Sequence, residues 1–170
     1  MIEIRWHARA GQGAKTASQL YAVAMLRAGK SVQAFPEYGP ERRGAPVRAY
    51  TRIDDRPIRR HDAIEHPNVV VVLEPSLVHD GVTDGLRAEG LLLVNAEPGA
   101  VEEAVCVPAE KLAGSRFVNL VMLGALAAEL GEPPLAELVD AASEMLGKKV
   151  AEDEIRAALA AGFEEVACPV

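Results

Sequence analysis

The residues best suited to chemistry lie in the stretch Pro36-Glu37-Tyr38-Gly39-Pro40-Glu41-Arg42-Arg43-Gly44-Ala45-Pro46. Prolines fix φ and glycines open backbone angles closed to other residues, so a connection this rich in both is stiff and shaped. It carries two acids and two adjacent arginines. Rigid charged loops at strand ends tend to be binding surfaces. A planar guanidinium fork suits phosphate or carboxylate, so Arg42 and Arg43 can clamp an anion. They can equally pair with Glu37 and Glu41, or with acids of a neighbouring subunit. A face turned to a cofactor or subunit is favoured over plain solvation.

A second cluster is Gly11-Gln12-Gly13-Ala14-Lys15-Thr16. It is neither a GxxxxGK[ST] phosphate loop nor a clean GxGxxG fingerprint. Backbone N–H groups at a helix start can still hold an anion, and a tight strand-to-helix turn explains the glycines as well. His7, beside this loop, titrates near neutrality when unperturbed, but no partner carboxylate is visible, so an orienting or structural role is expected. Asn95 and Asn119 can bind a ligand or cap helices. Glu74 would be functional only with a shifted pKa. Arg48 and Arg52 share one face of a strand, either solvated or at an interface. His61, His66 and His79 show no ligand spacing and are read as surface residues.

These residues need elements to position them. Ile2, Ile4 and Trp6 alternate with Glu3 and Arg5, as in a strand. Apolar residues recur at helical spacing over Thr16–Arg27, ended by Gly29. The next strand starts at Ser31, giving the opening of a βαβ unit. Val47–Ile53 and Pro57–Arg59 flank the turn signal Asp54-Asp55 and predict a hairpin. Val69–Leu73 and Leu91–Val94 read as strands buried on both faces. Leu77–Ala88 reads as a helix, and Glu103–Val107 as a short last strand. Helices are predicted over Val118–Leu130, Leu135–Leu146 and Ala151–Val166. The sum is an α/β domain over residues 1–170: a three-layer, mostly parallel sheet flanked by helices, with a β-hairpin insertion and a helical C-terminus. In such sheets ligands sit beyond the carboxyl ends of strands, where His7–Gly13, Phe35–Arg43, Glu74–Ser76 and Asn95–Glu97 fall.

Composition narrows the function. The chain has 170 residues, enough for one domain, and is 49% hydrophobic, enough for a sizeable core. A net charge of -7 disfavours nucleic-acid binding, which needs a basic surface. Cys106 and Cys168 form no CxxC, so no zinc or iron–sulfur ligand set of the usual spacing exists. Both read as packed or tail thiols. The N-terminus is a charged strand and the apolar runs are too short to span a bilayer, so a cytoplasmic protein with no membrane partner is expected. No nucleophile–base set or metal cluster can be assembled, so no catalytic residue and no metal ligand is assigned.

With Ile4-Arg5-Trp6-His7-Ala8-Arg9-Ala10-Gly11-Gln12-Gly13 and Gly39-Pro40-Glu41-Arg42-Arg43-Gly44 in view, the chain resembles the gamma subunit, or gamma domain, of 2-oxoacid:ferredoxin oxidoreductases, which include pyruvate synthase. The likeness runs on through Val69–Pro75 and Asn119–Ala125 to the C-terminal helices. The resemblance implies a subunit, inactive alone, of an enzyme that oxidatively decarboxylates a 2-oxoacid, usually to acyl-CoA, CO2 and reduced ferredoxin. It implies thiamine diphosphate and [4Fe-4S] clusters in partner subunits of alpha, beta and delta type, ferredoxin as acceptor, coenzyme A as co-substrate, and no cofactor bound by this chain alone. It assigns Gly11, Gln12, Gly13, Glu37, Tyr38, Gly39, Pro40, Glu41, Arg42, Arg43 and Gly44 to a face that helps close the substrate or coenzyme A site and the subunit interface. Ala8 and Ala10 stand where the family usually has glycines, and each adds a Cβ that penalises positive φ. Pyruvate, 2-oxoglutarate, an aryl pyruvate and oxalate all fit as the acid. A competing reading, from Gly11–Thr16, is a free-standing nucleotide-binding or regulatory α/β module.

Overall fold

The computed structural model describes residues 1–37, 44–78 and 81–167. The readings made on Tyr38, Gly39, Pro40, Glu41, Arg42, Arg43, His79 and Cys168 lie outside the described residues.

Strand β1 (Ile2–Arg9) is the organising element. Its even residues Ile4, Trp6 and Ala8 enter the main hydrophobic core. Its odd residues Glu3, Arg5 and His7 are also buried, but on the opposite sheet face. This is the period-two alternation of a strand, with both faces covered. β1 lies between β3 (Pro46–Asp54) and β4 (Val69–Val72), in a six-stranded sheet of order β2-β3-β1-β4-β5-β6. The others are β2 (Ser31–Glu37), β5 (Leu91–Asn95) and β6 (Val105–Val107). β1, β4, β5 and β6 pair in parallel, and β3 runs antiparallel to both β1 and β2. The sheet is thus mostly parallel in direction, with β3 alone reversed.

Helix α1 (Ala14–Arg27) packs on the face of Ile4 and Trp6, where its Leu20, Tyr21 and Met25 are fully buried. α3 (Val118–Leu130), α4 (Leu135–Leu146) and α5 (Glu152–Ala167) share that core, and the short α2 (Ala109–Ala113) follows β6. α3 is buried nearly all round, as a helix deep in a core should be. Its crossing with α5 is glycine-mediated. A Cβ on Gly124 would lie 1.9 Å from the Leu159 carbonyl oxygen, and one on Gly162 would lie 1.8 Å from that of Val121. The two backbones are in direct contact.

Three expectations need correction. The hairpin partner of β3 is β2, paired from Ser31↔Asp54 to Glu37↔Arg48, and not Pro57–Arg59. Pro57 has no N–H to give a ladder, and Asp54 Oδ1 instead accepts from the Arg56 N–H at 3.0 Å. β2 is therefore not adjacent to β1, because β3 is inserted between them. Leu77–Ala88 contains no α-helix among the described residues. A 3-10 turn, Pro75–Leu77, gives way to turns with Gly81 and Gly85 at φ 70° and 74°. A Cβ on Gly85 would meet the Glu65 carbonyl oxygen at 2.1 Å, so this segment sits flush on its neighbour. Its Leu77 and Val82 cover Val70, Val72, Leu92 and Val94, so turns build the second layer over β4 and β5. Finally, the last strand starts at Val105, since Glu103 takes φ 55° and leaves extended geometry. No helix among the described residues is long and apolar enough to cross a membrane.

The α3–α5 crossing makes a signed prediction. Glycine-to-alanine in a helix normally stabilises by about 1 kcal/mol. Gly162→Ala should instead destabilise by about 1–3 kcal/mol, because the added carbon has no room. A lower midpoint in urea unfolding is the expected result; an unchanged or raised midpoint contradicts the backbone contact.

Candidate functional site

At the carboxyl end of β1 the chain turns through Gly11 and Gly13, at φ 99° and 85°, into α1. Both angles lie in the left-handed region that favours glycine. Gly13 occupies the N-cap with no side-chain capping bond, and its carbonyl accepts from Ala17 N–H at 2.8 Å. A Cβ on Gly13 would lie 2.8 Å from Asn119 Nδ2, so the loop rests on Asn119. Asn119 is the second residue of α3, and its Oδ1 accepts from the Leu120 N–H at 3.0 Å. A Cβ on Gly11 would meet nothing within 4 Å, which leaves that side of the loop open. Ala8 lies inside β1, and neither Ala8 nor Ala10 has positive φ, so the penalty anticipated for these alanines does not arise.

Gln12 joins the loop to its neighbours. Its Oε1 accepts from the Arg9 N–H at 2.7 Å, and its Nε2 donates to Glu74 Oε2 at 2.7 Å. Burial pushes the Glu74 carboxyl up, but bonds from Gln12 and Ser76 and the charge of Arg9 outweigh it, and the net shift is downward. Glu74 is therefore held as a carboxylate and acts as an acceptor rather than a proton shuttle. Arg9, which sequence reasoning passed over, donates to the Gly44 carbonyl and to Ser76 Oγ, both at 3.1 Å. Ala10 N–H adds a bond to the Ala45 carbonyl at 2.9 Å. The far end of the Pro/Gly-rich stretch is thus fastened to the Gly11–Gly13 loop. Charge alternating with apolar residues along β1 was the available signal for Arg9.

Beyond the ends of β1, β4 and β5 lies an open crevice of about 730 Å³, lined by Gly11, Gln12, Glu74, Asn95, Glu97 and Lys111 among others. This is where a parallel sheet takes its ligands. Asn95 braces its floor, donating to the Leu73 carbonyl and accepting from the Ala109 N–H, each at 3.0 Å. At the mouth, Lys111 Nζ and Glu97 Oε1 form an exposed pair at 2.8 Å. The structure therefore brings Gly11 and Gln12 to the crevice with Glu74 and Asn95, and holds Gly44 nearby through Arg9. Glu37 lies elsewhere, on the sheet face away from the helices, where it accepts from the Tyr50 hydroxyl and sits 3.9 Å from Arg48.

That opposite face also holds His7 and Arg52. Arg52 is fully buried within the chain, so it is neither the solvated nor the interface residue that the strand pattern offered. Its Nε donates to Glu3 Oε1 at 2.9 Å and its Nη1 to Gln33 Oε1 at 3.1 Å. His7 is 4% exposed, and Arg5 Nε–H donates to its Nε2 at 3.0 Å. Burial first, then the charges of Arg5 and Arg48, push His7 down to about 3. It is neutral at pH 7, in keeping with a structural role. His61 and His66 are exposed, as expected, and Cys106 is a free, half-buried thiol. Because His7 protonates more readily unfolded, near its ordinary 6.5, its contribution is complete above about pH 6.5 and is lost as pH falls towards 3. His7→Asn should flatten that part of the acid limb relative to the parent protein, read as urea midpoints from pH 7 down to pH 4. Parallel curves would contradict a buried neutral His7.

Comparison with known proteins agrees with this architecture. The family described as pyruvate ferredoxin/flavodoxin oxidoreductase matches residues 3–165. Pyruvate synthase subunit PorC of Thermotoga maritima is 45% identical over 183 residues, covering 98% of this chain and 95% of that one. The pyruvate/ketoisovalerate oxidoreductases common subunit gamma of Thermococcus kodakarensis is 44% identical, covering 93% and 94%. The crystal structure of the Thermotoga maritima pyruvate oxidoreductase subunit PORC superimposes with a TM-score of 0.82 at 40% identity, over 96% of this chain and 95% of that one. The chain belongs to the pyruvate ferredoxin/flavodoxin oxidoreductase family, as a gamma-type subunit.

Proposed function

We propose that this chain works within a multi-subunit 2-oxoacid:ferredoxin oxidoreductase, where it supplies a binding face and not the reacting groups. The observation that carries the reading is the crevice at the carboxyl edge, where Gln12 links the glycine loop to an ionised Glu74. Gln12, Glu74 and Asn95 supply hydrogen-bonding groups there beside the apolar Leu73, Ala96 and Val118. The one histidine close to the loop is held neutral, on the other sheet face.

The chain's own residues argue for where the cofactors lie. A [4Fe-4S] cluster takes four thiolates, and this chain has two cysteines. Among the described residues no group of three or more His, Cys, Asp or Glu could hold a metal ion. On this proposal the clusters and thiamine diphosphate lie in subunits of alpha, beta and delta type, with ferredoxin as the acceptor, as the likeness to the oxidoreductase gamma subunits implies. Thiamine diphosphate supplies carbanion stabilisation to the reaction. This chain contributes Gly11, Gln12, Gly13 and the 38–44 segment to the face that closes the substrate or coenzyme A site, and Glu37, on the other sheet face, is left out of it. At that face the open backbone of Gly11 permits close approach, and the uncapped start of α1 favours an anionic group. The Thermococcus relative is described as common to pyruvate and ketoisovalerate enzymes. By analogy, selection of the 2-oxoacid side chain lies with other subunits. A cytoplasmic location follows from the same reading.

The test is kinetic, on the complex assembled anaerobically from native partners. That complex should contain iron and thiamine diphosphate. Gln12→Ala removes two hydrogen bonds at the crevice and should raise KM for coenzyme A about tenfold, with cofactor content intact. Joint replacement of Arg42 and Arg43 by alanine should lower activity or coenzyme A use. Unaltered kinetics and assembly in both variants would sink the assignment of this face.

A further inference from the structure

On the sheet face away from the helices, the carboxyl end of β1 and the neighbouring ends of β2 and β3 border a second pocket, of about 290 Å³. His7, Glu37, Val47, Arg48, Leu77 and Val82 line it. It is separate from the crevice at Gln12 and shares none of its lining residues.

The proton on His7 can be placed by elimination. An arginine Nε always carries hydrogen, so the 3.0 Å bond from Arg5 makes His7 Nε2 the acceptor. A neutral imidazole with a lone pair on Nε2 carries its hydrogen on Nδ1. Arg5 itself cannot turn away, because its Nη2 donates to the carbonyls of Val82 and Asp84 at 2.7 and 2.6 Å. Among the described residues the Nδ1–H finds no acceptor. Left unbonded by the described residues, this donor belongs to a side chain lining the pocket and can give to a ligand acceptor.

The rest of the lining narrows that acceptor. Arg5 and Arg48 both make the potential at His7 positive. Glu37 is the carboxylate in the wall, and the Tyr50 hydroxyl and Arg48 already engage it. Arg48 is half-exposed and approaches Glu37 through Nη1 at 3.9 Å. Leu77 and Val82 are almost fully buried and give the pocket an apolar wall. The volume lies at the small end of ligand pockets, which run from about 300 Å³ upwards. We propose that this pocket takes a carboxylate on a short aliphatic stem, its oxygens accepting from His7 Nδ1–H and the Arg48 guanidinium and its stem lying against Leu77 and Val82. The source is either a free short-chain monocarboxylate or an acidic side chain of a neighbouring subunit. The proposal holds whether or not the crevice at Gln12 serves coenzyme A.

Sodium butyrate is the probe, titrated into the full-length chain labelled with nitrogen-15 and followed at the His7 ring nitrogens. The expected result is hydrogen on Nδ1 and a saturable shift of that signal. Arg48→Gln, at an exposed position that leaves the core intact, should weaken binding about tenfold. Glu37→Gln should tighten it by removing the like charge. Hydrogen on Nε2, no saturable shift, or equal affinity in the parent and Arg48→Gln would overturn the proposal. The assembled complex then separates the sources. Retained butyrate binding identifies a free carboxylate, whereas exclusion from the complex alone identifies a neighbouring subunit's acid.

Discussion

The fold depends on one buried ion pair. Glu3 and Arg52 face each other across the antiparallel β1–β3 ladder, and Arg52 Nε donates to Glu3 Oε1 inside the protein. Two charges out of water are tolerated only when their remaining groups are also met. Here Gln33 serves Arg52 from β2 and Arg87 reaches Glu3 at 3.3 Å, while Arg52 Nη2 makes no hydrogen bond among the described residues and has only the charge of Asp62 at 3.5 Å. The guanidinium also lies over the Phe35 ring, 5.7 Å from its centre. The pair cannot slip by one residue, since a shift would turn Arg52 towards Trp6 and the helix core. It thereby fixes the register that brings Arg9 level with Pro46, the first residue of β3.

From that register the sheet acquires two unlike faces. The helix side is largely apolar, with Trp6 Nε1 donating to Thr51 Oγ1 at 3.0 Å and Thr51 Oγ1 to the Ser18 carbonyl at 3.2 Å. The other side is split. Over β4 and β5 it is sealed by Leu77 and Val82, and over β1 to β3 it is a field of paired charges. Arg5 stitches the two halves together by holding the carbonyls of Val82 and Asp84. The glycine-loop crevice and the His7 pocket open on different sides of this one strand end. One strand end therefore presents two chemically distinct surfaces.

Much of this was legible in the residue pattern, and the exceptions have physical causes. The apolar runs Val69–Val72 and Leu91–Val94 announced strands buried on both sides, and the three C-terminal helices were readable from periodicity. The convergence of Gly11, Gln12, Glu74 and Asn95 followed from the rule that ligands lie beyond strand ends. The pairing of β3 did not follow. Its local turn signal at Asp54-Asp55 competed with a longer connection whose stiffness favours a hairpin just as well, and only non-local contacts decide between them. The layer after Leu77 was misread because helical spacing of apolar residues outweighed two glycines that take left-handed angles. Arg52 was illegible for a different reason. An arginine on a strand reads as solvated unless its acid is known, and that acid lies 49 residues away in the chain.

The backbone contacts of Gly124 with Leu159 and of Gly162 with Val121 bear on more than stability. Since main chain meets main chain there, the spacing of α3 from α5 is set by the peptide skeleton and not by side-chain volume. Substitutions elsewhere in the core can change its filling without moving α3 along that direction. Asn119, on the first turn of α3, is the surface against which Gly13 rests. The height of the glycine loop is thus gauged by a rigid spacer within the helical layer, so sequence drift elsewhere in that layer can proceed while the mouth of the crevice keeps its dimensions.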